Sequence, residues 1–430
     1  MISESSPSEC FVYITLPGTT APVTAARFEL TEGRAGAPLG RLVYGKSYLA
    51  RRDAVAVDPV ELTLGPRTYE TTALKGVFGA LRDAGPDYWG RRVIERHAGK
   101  ALLSELDYLL ESPDDRAGAL GFGRGQQPPA PLRKFNKTID LAKLQQLADA
   151  IVNDEDLPAD ADVAQTEDLL LIATSMGGAR PKATVEDDEG LWIAKFNRPD
   201  DRWNSARVEH AMLVLARACG LTAAESRLAT VGERDVLLVK RFDRERTPEG
   251  YRRARMVSAL TLLRAEDGPQ AREKWSYIRL VEELRRIGAE PKKDSAELFR
   301  RMCFNALISN SDDHPRNHAA LAKAQDWRLS PGYDLTPTPL VSIERRDLAM
   351  ICGDQGRFAN ANNLLSQSAR FLLPRDEAAA IVSEMKGRVK ATWYEVARDG
   401  GVSARDCERI AAAFAYPGFD LAQMQPMDDK

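Results

Sequence analysis

Ser309-Asn-Ser-Asp-Asp-His-Pro-Arg-Asn-His318, with Leu329-Ser-Pro-Gly-Tyr-Asp334 downstream, is where the polar chemistry of this chain concentrates. It follows a run in which Leu298, Met302 and Ala306 recur at helical spacing, so a polar loop at the end of a helix is expected. Asp312 and Asn317 stand as D-x-x-x-x-N. Phosphoryl transfer uses such a pair, because one carboxylate can take a hydroxyl proton while an amide oxygen serves a hard cation, Mg²⁺. Asp334 offers a second metal-binding carboxylate. His314 and His318 are four apart, but Pro315 disfavours the helix that would bring them together, and a structural or positioning role is expected for both.

Working upstream, a lysine sits in an apolar strand, Trp192-Ile-Ala-Lys195-Phe196, where it shares a face with Leu191 and Ile193. That strand closes a hairpin, Ala183 to Glu186 and Leu191 to Phe196, around Asp187-Asp-Glu-Gly190. Before it, Ser175-Met-Gly-Gly-Ala-Arg-Pro-Lys182 is a small-residue loop whose backbone N–H groups could approach phosphates closely. A helix is expected from about Ser205 to a stop at Gly220, carrying Glu209 in an apolar setting where a carboxylate wants a cation, with Lys195 the candidate. A second hairpin pairs Leu228 to Val231 with Val236 to Phe242. Each piece alone has a plainer reading: an Asp-rich turn caps a helix, a Gly pair makes a tight turn, Lys195 is solvated and Glu209 lies on a surface. Together they run loop, lysine, helix glutamate, strand, catalytic loop, metal aspartate, which is protein-kinase order.

The rest of the 430 residues bounds the reading. The length predicts more than one packed unit, and 43% hydrophobic with 29% charged residues excludes disorder as the main state. Sixty Lys+Arg against 63 Asp+Glu excludes whole-chain polyelectrolyte binding to nucleic acid, leaving local patches such as Arg252, Arg253 and Arg255. The cysteines, Cys10, Cys219, Cys303, Cys352 and Cys407, are odd in number and lack C-x-x-C spacing, which argues against a disulfide framework or zinc site and for a reducing compartment. The acidic, Ser-rich start and the lack of any long apolar run lead to a cytoplasmic expectation without a membrane. Cys10 to Leu16, Arg27 to Leu30 and Gly40 to Tyr44 read as strands of a β-rich subdomain over 1–120, and a helical pattern follows Tyr69. Gly118 to Pro131 and the acidic stretch Asp154 to Asp168 read as connections. A nucleotide-binding lobe over 165–255 and an all-α lobe over 256–430 complete the expectation. The fold class is α+β: two-lobed and protein-kinase-like, with a mixed α/β N-terminal lobe, the added β-rich subdomain and an all-α C-terminal lobe.

Six ordered stretches carry a resemblance. Gly40-Arg-Leu-Val-Tyr-Gly45 with Tyr48-Leu49, Pro86-Asp-Tyr-Trp-Gly-Arg-Arg92, Ser175 to Lys182, Val239-Lys-Arg-Phe-Asp-Arg244, Asn310 to Asn317 and Gly332-Tyr-Asp334 resemble the HipA family of bacterial toxin kinases. The resemblance implies a serine/threonine protein kinase that uses ATP and Mg²⁺ and arrests growth. It implies Asp312 as catalytic base, Asn317 and Asp334 as metal ligands and Lys195 as the phosphate-binding lysine. Ser175 falls at the family's autophosphorylated serine, where added charge would oppose nucleotide binding. Met176, Gly177, Gly178, Ala179 and His314 join the nucleotide contacts, with Lys240, Arg241 and Phe242 at the adenine hinge and Glu209 as structural support. Lys240 replaces the better-known Glu, and Asp313 the better-known Gly. The implied partners are a helix-turn-helix antitoxin of the HipB type, DNA mainly through that antitoxin, and a protein substrate in translation such as an aminoacyl-tRNA synthetase. The rival expectations are a small-molecule kinase, a catalytically weak kinase-like co-repressor, and a metal hydrolase built on Asp312, Asp313, His314 and His318.

Overall fold

The computed structural model describes residues 8–33, 36–99, 103–131, 135–153, 155, 180–339 and 342–420. Ser175, Met176, Gly177, Gly178 and Ala179 lie outside them, as does the acidic connection apart from Glu155. The chain forms two compact units, one of 1–201, 226–266 and 319–330, the other of 202–225, 267–318 and 331–430. The N-terminal region is mixed α/β and the C-terminal region α-rich.

In the first unit, β1 (Glu9–Thr15), β2 (Pro22–Glu32), β3 (Pro38–Tyr44), β4 (Thr68–Thr71) and β5 (Leu120–Gly123) form an antiparallel sheet in the order β4-β3-β2-β1-β5. Val12 and Ile14 of β1 are buried with Phe28 and Leu42, as period-two alternation dictates. Strand β5 corrects the expectation of a plain loop over Gly118 to Pro131. Its Leu-Gly-Phe-Gly sequence makes an edge strand because Gly123 leaves room for the Tyr13 ring; a Cβ there would stand 2.6 Å from the Tyr13 hydroxyl. The helical pattern after Tyr69 is also interrupted, since Leu74 and Lys75 adopt positive φ before a short helix, Gly79–Asp83.

A second sheet has the order β6-β7-β8-β10-β9, from β6 (Asn136–Lys137), β7 (Lys182–Asp187), β8 (Gly190–Phe196), β9 (Ser226–Val231) and β10 (Arg234–Lys240). Both expected hairpins are present. Ala183, Val185, Trp192, Ala194, Phe196, Val236 and Leu238 pack with Leu144, Leu147 and Ile151 of the helix Leu141–Val152. The opposite face of the sheet therefore carries Lys182, Leu191, Ile193 and Lys195.

β11 (Arg244–Thr247) pairs with β12 (Gly250–Arg253), and β13 (Arg255–Ser258), β14 (Ala319–Ala322) and β15 (Arg328–Leu329) form a further sheet. The stretch 256–430 is thus α-rich and not all-α. Ala319-Ala-Leu-Ala322 has helical propensity, and its pairing with β13 overrides it. Arg253 and Arg255 are equally corrected as a nucleic-acid patch. Arg253 pairs with Asp114, and Arg255, 3% exposed, lies over Trp327 and bonds the Ala324 carbonyl.

The second unit holds the helices Ser205–Ala218, Tyr277–Ile287, Pro291–Leu307 and Arg375–Asp399. The first of these stops as expected, with Gly220 at φ +82. Among the described residues no helix is long and apolar enough to cross a membrane.

Candidate functional site

The helix Pro291–Leu307 ends at a sharp reversal: Ser309 has φ +52, and the Asn310 N–H returns to the Asn305 carbonyl at 2.8 Å. Arg346 holds this reversal by donating to Ser309 Oγ at 2.7 Å. The loop then folds on itself around one carbonyl. The Asp312 carbonyl accepts from the His314 N–H at 2.9 Å and from Asn317 Nδ2 at 3.0 Å. Asn317 thereby commits its nitrogen to the backbone and presents its oxygen as the remaining polar atom. His314 Nδ1 accepts from the Arg316 N–H at 3.2 Å, and the Arg316 side chain pairs with Asp267 at 2.9 Å. The Tyr333 hydroxyl donates to the Arg316 carbonyl at 2.8 Å, tying Gly332-Tyr-Asp334 to this loop. Asp334 sits at φ +57, a conformation that aspartate tolerates better than most residues.

The Asp312 side chain is exposed, yet the surrounding protein strips enough water to raise its carboxyl above the ordinary range. His314 opposes that rise, while the carboxylates of Asp334, Asp313 and Asp267 add to it. Like charges so gathered favour a cation, and the amide oxygen of Asn317 with the carboxylate of Asp334 is an oxygen donor set suited to Mg²⁺. The residues present fit that ion.

Asp313 points the other way. It is 1% exposed, accepts the Tyr277 hydroxyl on one oxygen, and meets His318 Nε2 at 2.7 Å on the other. His318 is therefore committed to Asp313. Among the described residues no group of three or more His, Cys, Asp or Glu is placed to hold a metal, so Asp312, Asp313, His314 and His318 do not form the transition-metal centre of the hydrolase alternative.

In the first unit, Lys195 is half-buried on β8 and stands directly opposite Lys182 of β7. Lys182 is buried and ion-paired to Asp87, which also caps the helix Tyr88–Ala98 by accepting from the Gly90 N–H at 2.7 Å. The ladder thus sets two lysines side by side on this face of the sheet. Trp89 donates its indole N–H to the Lys182 carbonyl at 3.2 Å, so the Pro86 to Arg92 motif is a brace for the start of β7. Glu209 belongs to the second unit, where it is 4% exposed on the helix Ser205–Ala218.

At the expected hinge the side chains of Lys240 and Arg241 are engaged within the protein. Lys240 pairs with Trp192 across the sheet and its ammonium lies 5.4 Å from that ring, on the face opposite Lys195. The Arg241 side chain is fully enclosed: it bonds Asp243 at 2.8 and 3.0 Å, Asp115 at 2.5 Å and the Arg116 carbonyl at 2.8 Å. Its N–H is spent on the Leu191 carbonyl at 2.9 Å. Arg241 therefore cannot offer a side chain or an N–H to a nucleotide, and its carbonyl is what remains. The residue reading missed this ion cluster and the Asp313 network. The Asp-Asp pair followed by His318 is the signal that could have found the latter.

A family model for the HipA-like C-terminal domain matches residues 174–393. The chain belongs to the HipA-like family. Two curated relatives come from Sinorhizobium fredii (strain NBRC 101917 / NGR234). The one named "Putative kinase Y4mE" is 26% identical over 281 residues, 61% of this chain and 63% of its own. "Putative kinase Y4dM" is 32% identical over 244 residues, 53% and 57% respectively. The match thus spans about three fifths of each relative's length. Among solved structures, HipA from the Shewanella oneidensis MR-1 toxin antitoxin system, in a complex with HipB and operator DNA, superposes with TM-score 0.59 over 93% of this chain and 95% of the other, at 17% identity. At that identity the likeness speaks for the HipA fold alone. The HipA-like match includes Lys195, Asp312, Asn317 and Asp334.

Proposed function

We propose that this chain is an ATP- and Mg²⁺-dependent serine/threonine protein kinase with a kinase-like fold, acting as the toxin of a toxin–antitoxin pair. The observation that carries the reading is the loop in which Asn317 is pinned to the Asp312 carbonyl while Asp334 and Asp312 crowd their negative charges. Asp312 accepts the proton of a protein hydroxyl as that oxygen bonds to the γ-phosphorus of ATP and the bond to the ADP oxygen breaks. Its raised pKa makes it a better proton acceptor than an ordinary aspartate. Asn317 and Asp334 hold the Mg²⁺, which when bound neutralises phosphate charge. Lys195 holds the nucleotide phosphates, with Glu209 as structural support. The Ser175 to Ala179 loop, His314, the Arg241 carbonyl and Phe242 complete the nucleotide contacts, and Ser175 is the site of autophosphorylation.

By analogy with the Shewanella complex, a helix-turn-helix partner of the HipB type binds the chain and supplies most of the DNA contact. The substrate is a protein of translation, with an aminoacyl-tRNA synthetase the first candidate. The test is transfer of labelled γ-phosphate from ATP to protein in a lysate. Label appears in protein with the wild type and is lost in Asp312→Asn. Label confined to metabolites, or retained in the variant, refutes the reading.

A further inference from the structure

Beneath the loop of residues 310–318 runs a polar network that transfer chemistry does not use directly. Asn310 donates to Asn305 Oδ1 at 3.2 Å, Asn305 donates to the Tyr277 hydroxyl at 3.1 Å, and Tyr277 donates to one oxygen of Asp313. His318 meets the other oxygen at 2.7 Å, and its ring lies edge-on to Tyr277 with centroids 5.2 Å apart. None of the five residues is more than 1% exposed. Burying a carboxylate so deeply is strongly unfavourable unless both oxygens are bonded, and here both are.

The network touches the loop at its beginning, middle and end, through Asn310, Asp313 and His318. It makes no use of the side chains of Asp312 and Asn317. Its outer supports are helical residues, Tyr277 at the start of one helix and Asn305 within another. Asp312 is exposed while Asp313 is enclosed, so neighbouring side chains leave the backbone in opposite senses. Fixing the direction of Asp313 fixes that of Asp312. An apolar side chain at 313 could fill the space, but it could not select one orientation as two hydrogen bonds at set angles do.

The geometry points to Asp313, His318 and Tyr277 as positioning residues that hold Asp312 and Asn317 in the arrangement transfer requires. This rests on the phosphotransferase reading. None of the three is assigned to substrate or metal; they act through the loop.

The test uses the full chain with ATP and Mg²⁺, comparing Tyr277→Phe, His318→Phe and His318→Gln, with Asp312→Asn as the control. Tyr277→Phe removes one hydroxyl and keeps the ring. It and His318→Phe lower kcat by roughly 10- to 100-fold with KM for ATP little changed, the scale expected for a small misplacement of a catalytic group. His318→Gln keeps an N–H donor toward Asp313 and recovers part of the loss. Wild-type kcat in folded Tyr277→Phe protein, with only its melting temperature lowered, overturns the positioning role. If Asp312→Asn loses transfer while Tyr277→Phe does not, only this inference falls. If Asp312→Asn retains transfer, the phosphotransferase reading falls with it.

Discussion

Asp243 and Asp312 are both aspartates crowded by other charges, and their surroundings push them in opposite directions. Burial alone would raise Asp243, but the guanidinium groups of Arg241 and Arg244 hold it well below the usual carboxylate range. Arg241 is raised in return by Asp115 and Asp243 against the effect of its burial, and Arg244, enclosed beside another arginine, is lowered to about 9. Around Asp312 burial is the largest cause and raises the carboxyl, and the carboxylates of Asp334, Asp313 and Asp267 add to that rise against His314. A cluster with matched charges is complete in itself and serves to hold β10 to the loop of residues 115–118. Around Asp312 several carboxylates gather, and a cation or a proton would ease their repulsion.

The contrast can be broken most severely at its functional end. Asp312→Asn should reduce phosphate transfer by about 10²- to 10⁴-fold, the range for losing a general base. The same substitution removes like-charge repulsion, so its melting temperature should equal or exceed that of the wild type. A variant that is both inactive and clearly less stable would mean the carboxylate is structural.

The matched cluster should respond in the reverse way. Asp243→Ala strands two enclosed guanidinium groups and should cost about 3–5 kcal/mol in chemical denaturation, the usual scale for breaking a buried ion pair from one side. A loss below about 1 kcal/mol, the scale of an exposed pair, would show that water reaches the cluster. A smaller effect is expected at Gly118, whose N–H donates to Asp243 at 2.9 Å. Its φ is +77, and a Cβ would stand 3.1 Å from the Met256 nitrogen. Gly118→Ala should cost on the order of 1 kcal/mol or more in the same denaturation assay, and an unchanged midpoint would argue against the strain.

The last effect is a titration. Because the folded pKa of Asp312 lies above its unfolded value, folding favours its protonated form relative to the unfolded chain: that stability is fully present below the unfolded pKa and is lost as pH rises through the folded pKa. Asp334→Asn should move the Asp312 carboxyl downward, followed by carbon NMR of the side chain without added Mg²⁺. An unmoved titration would remove Asp334 from the pair.

The grouping of Asp312, Asn317 and Asp334 was legible in their spacing, and the face of Lys195 in the alternation along one strand. The two hairpins around residues 188–189 and 232–233 were legible for the same local reason. What escaped was remote in sequence. Tyr277 lies 36 positions from the Asp313 it bonds, and Asp115 lies 126 from Arg241. The short alanine-rich β14 and the glycine-spaced β5 have propensities that favour helix or loop, and only their partners make them strands.

By itself, then, the order of residues determined the local hairpins and the polar groups that stand close along the chain, since period, turn chemistry and motif spacing act over a few positions. The tertiary structure decided which charges are enclosed and with what they pair, because burial and hydrogen-bond partners come from segments that meet only when the chain has folded. That is why the Arg241 side chain, inside a family motif, is enclosed in an ion cluster, and why Asp313, standing where the better-known pattern has glycine, bonds Tyr277 and His318.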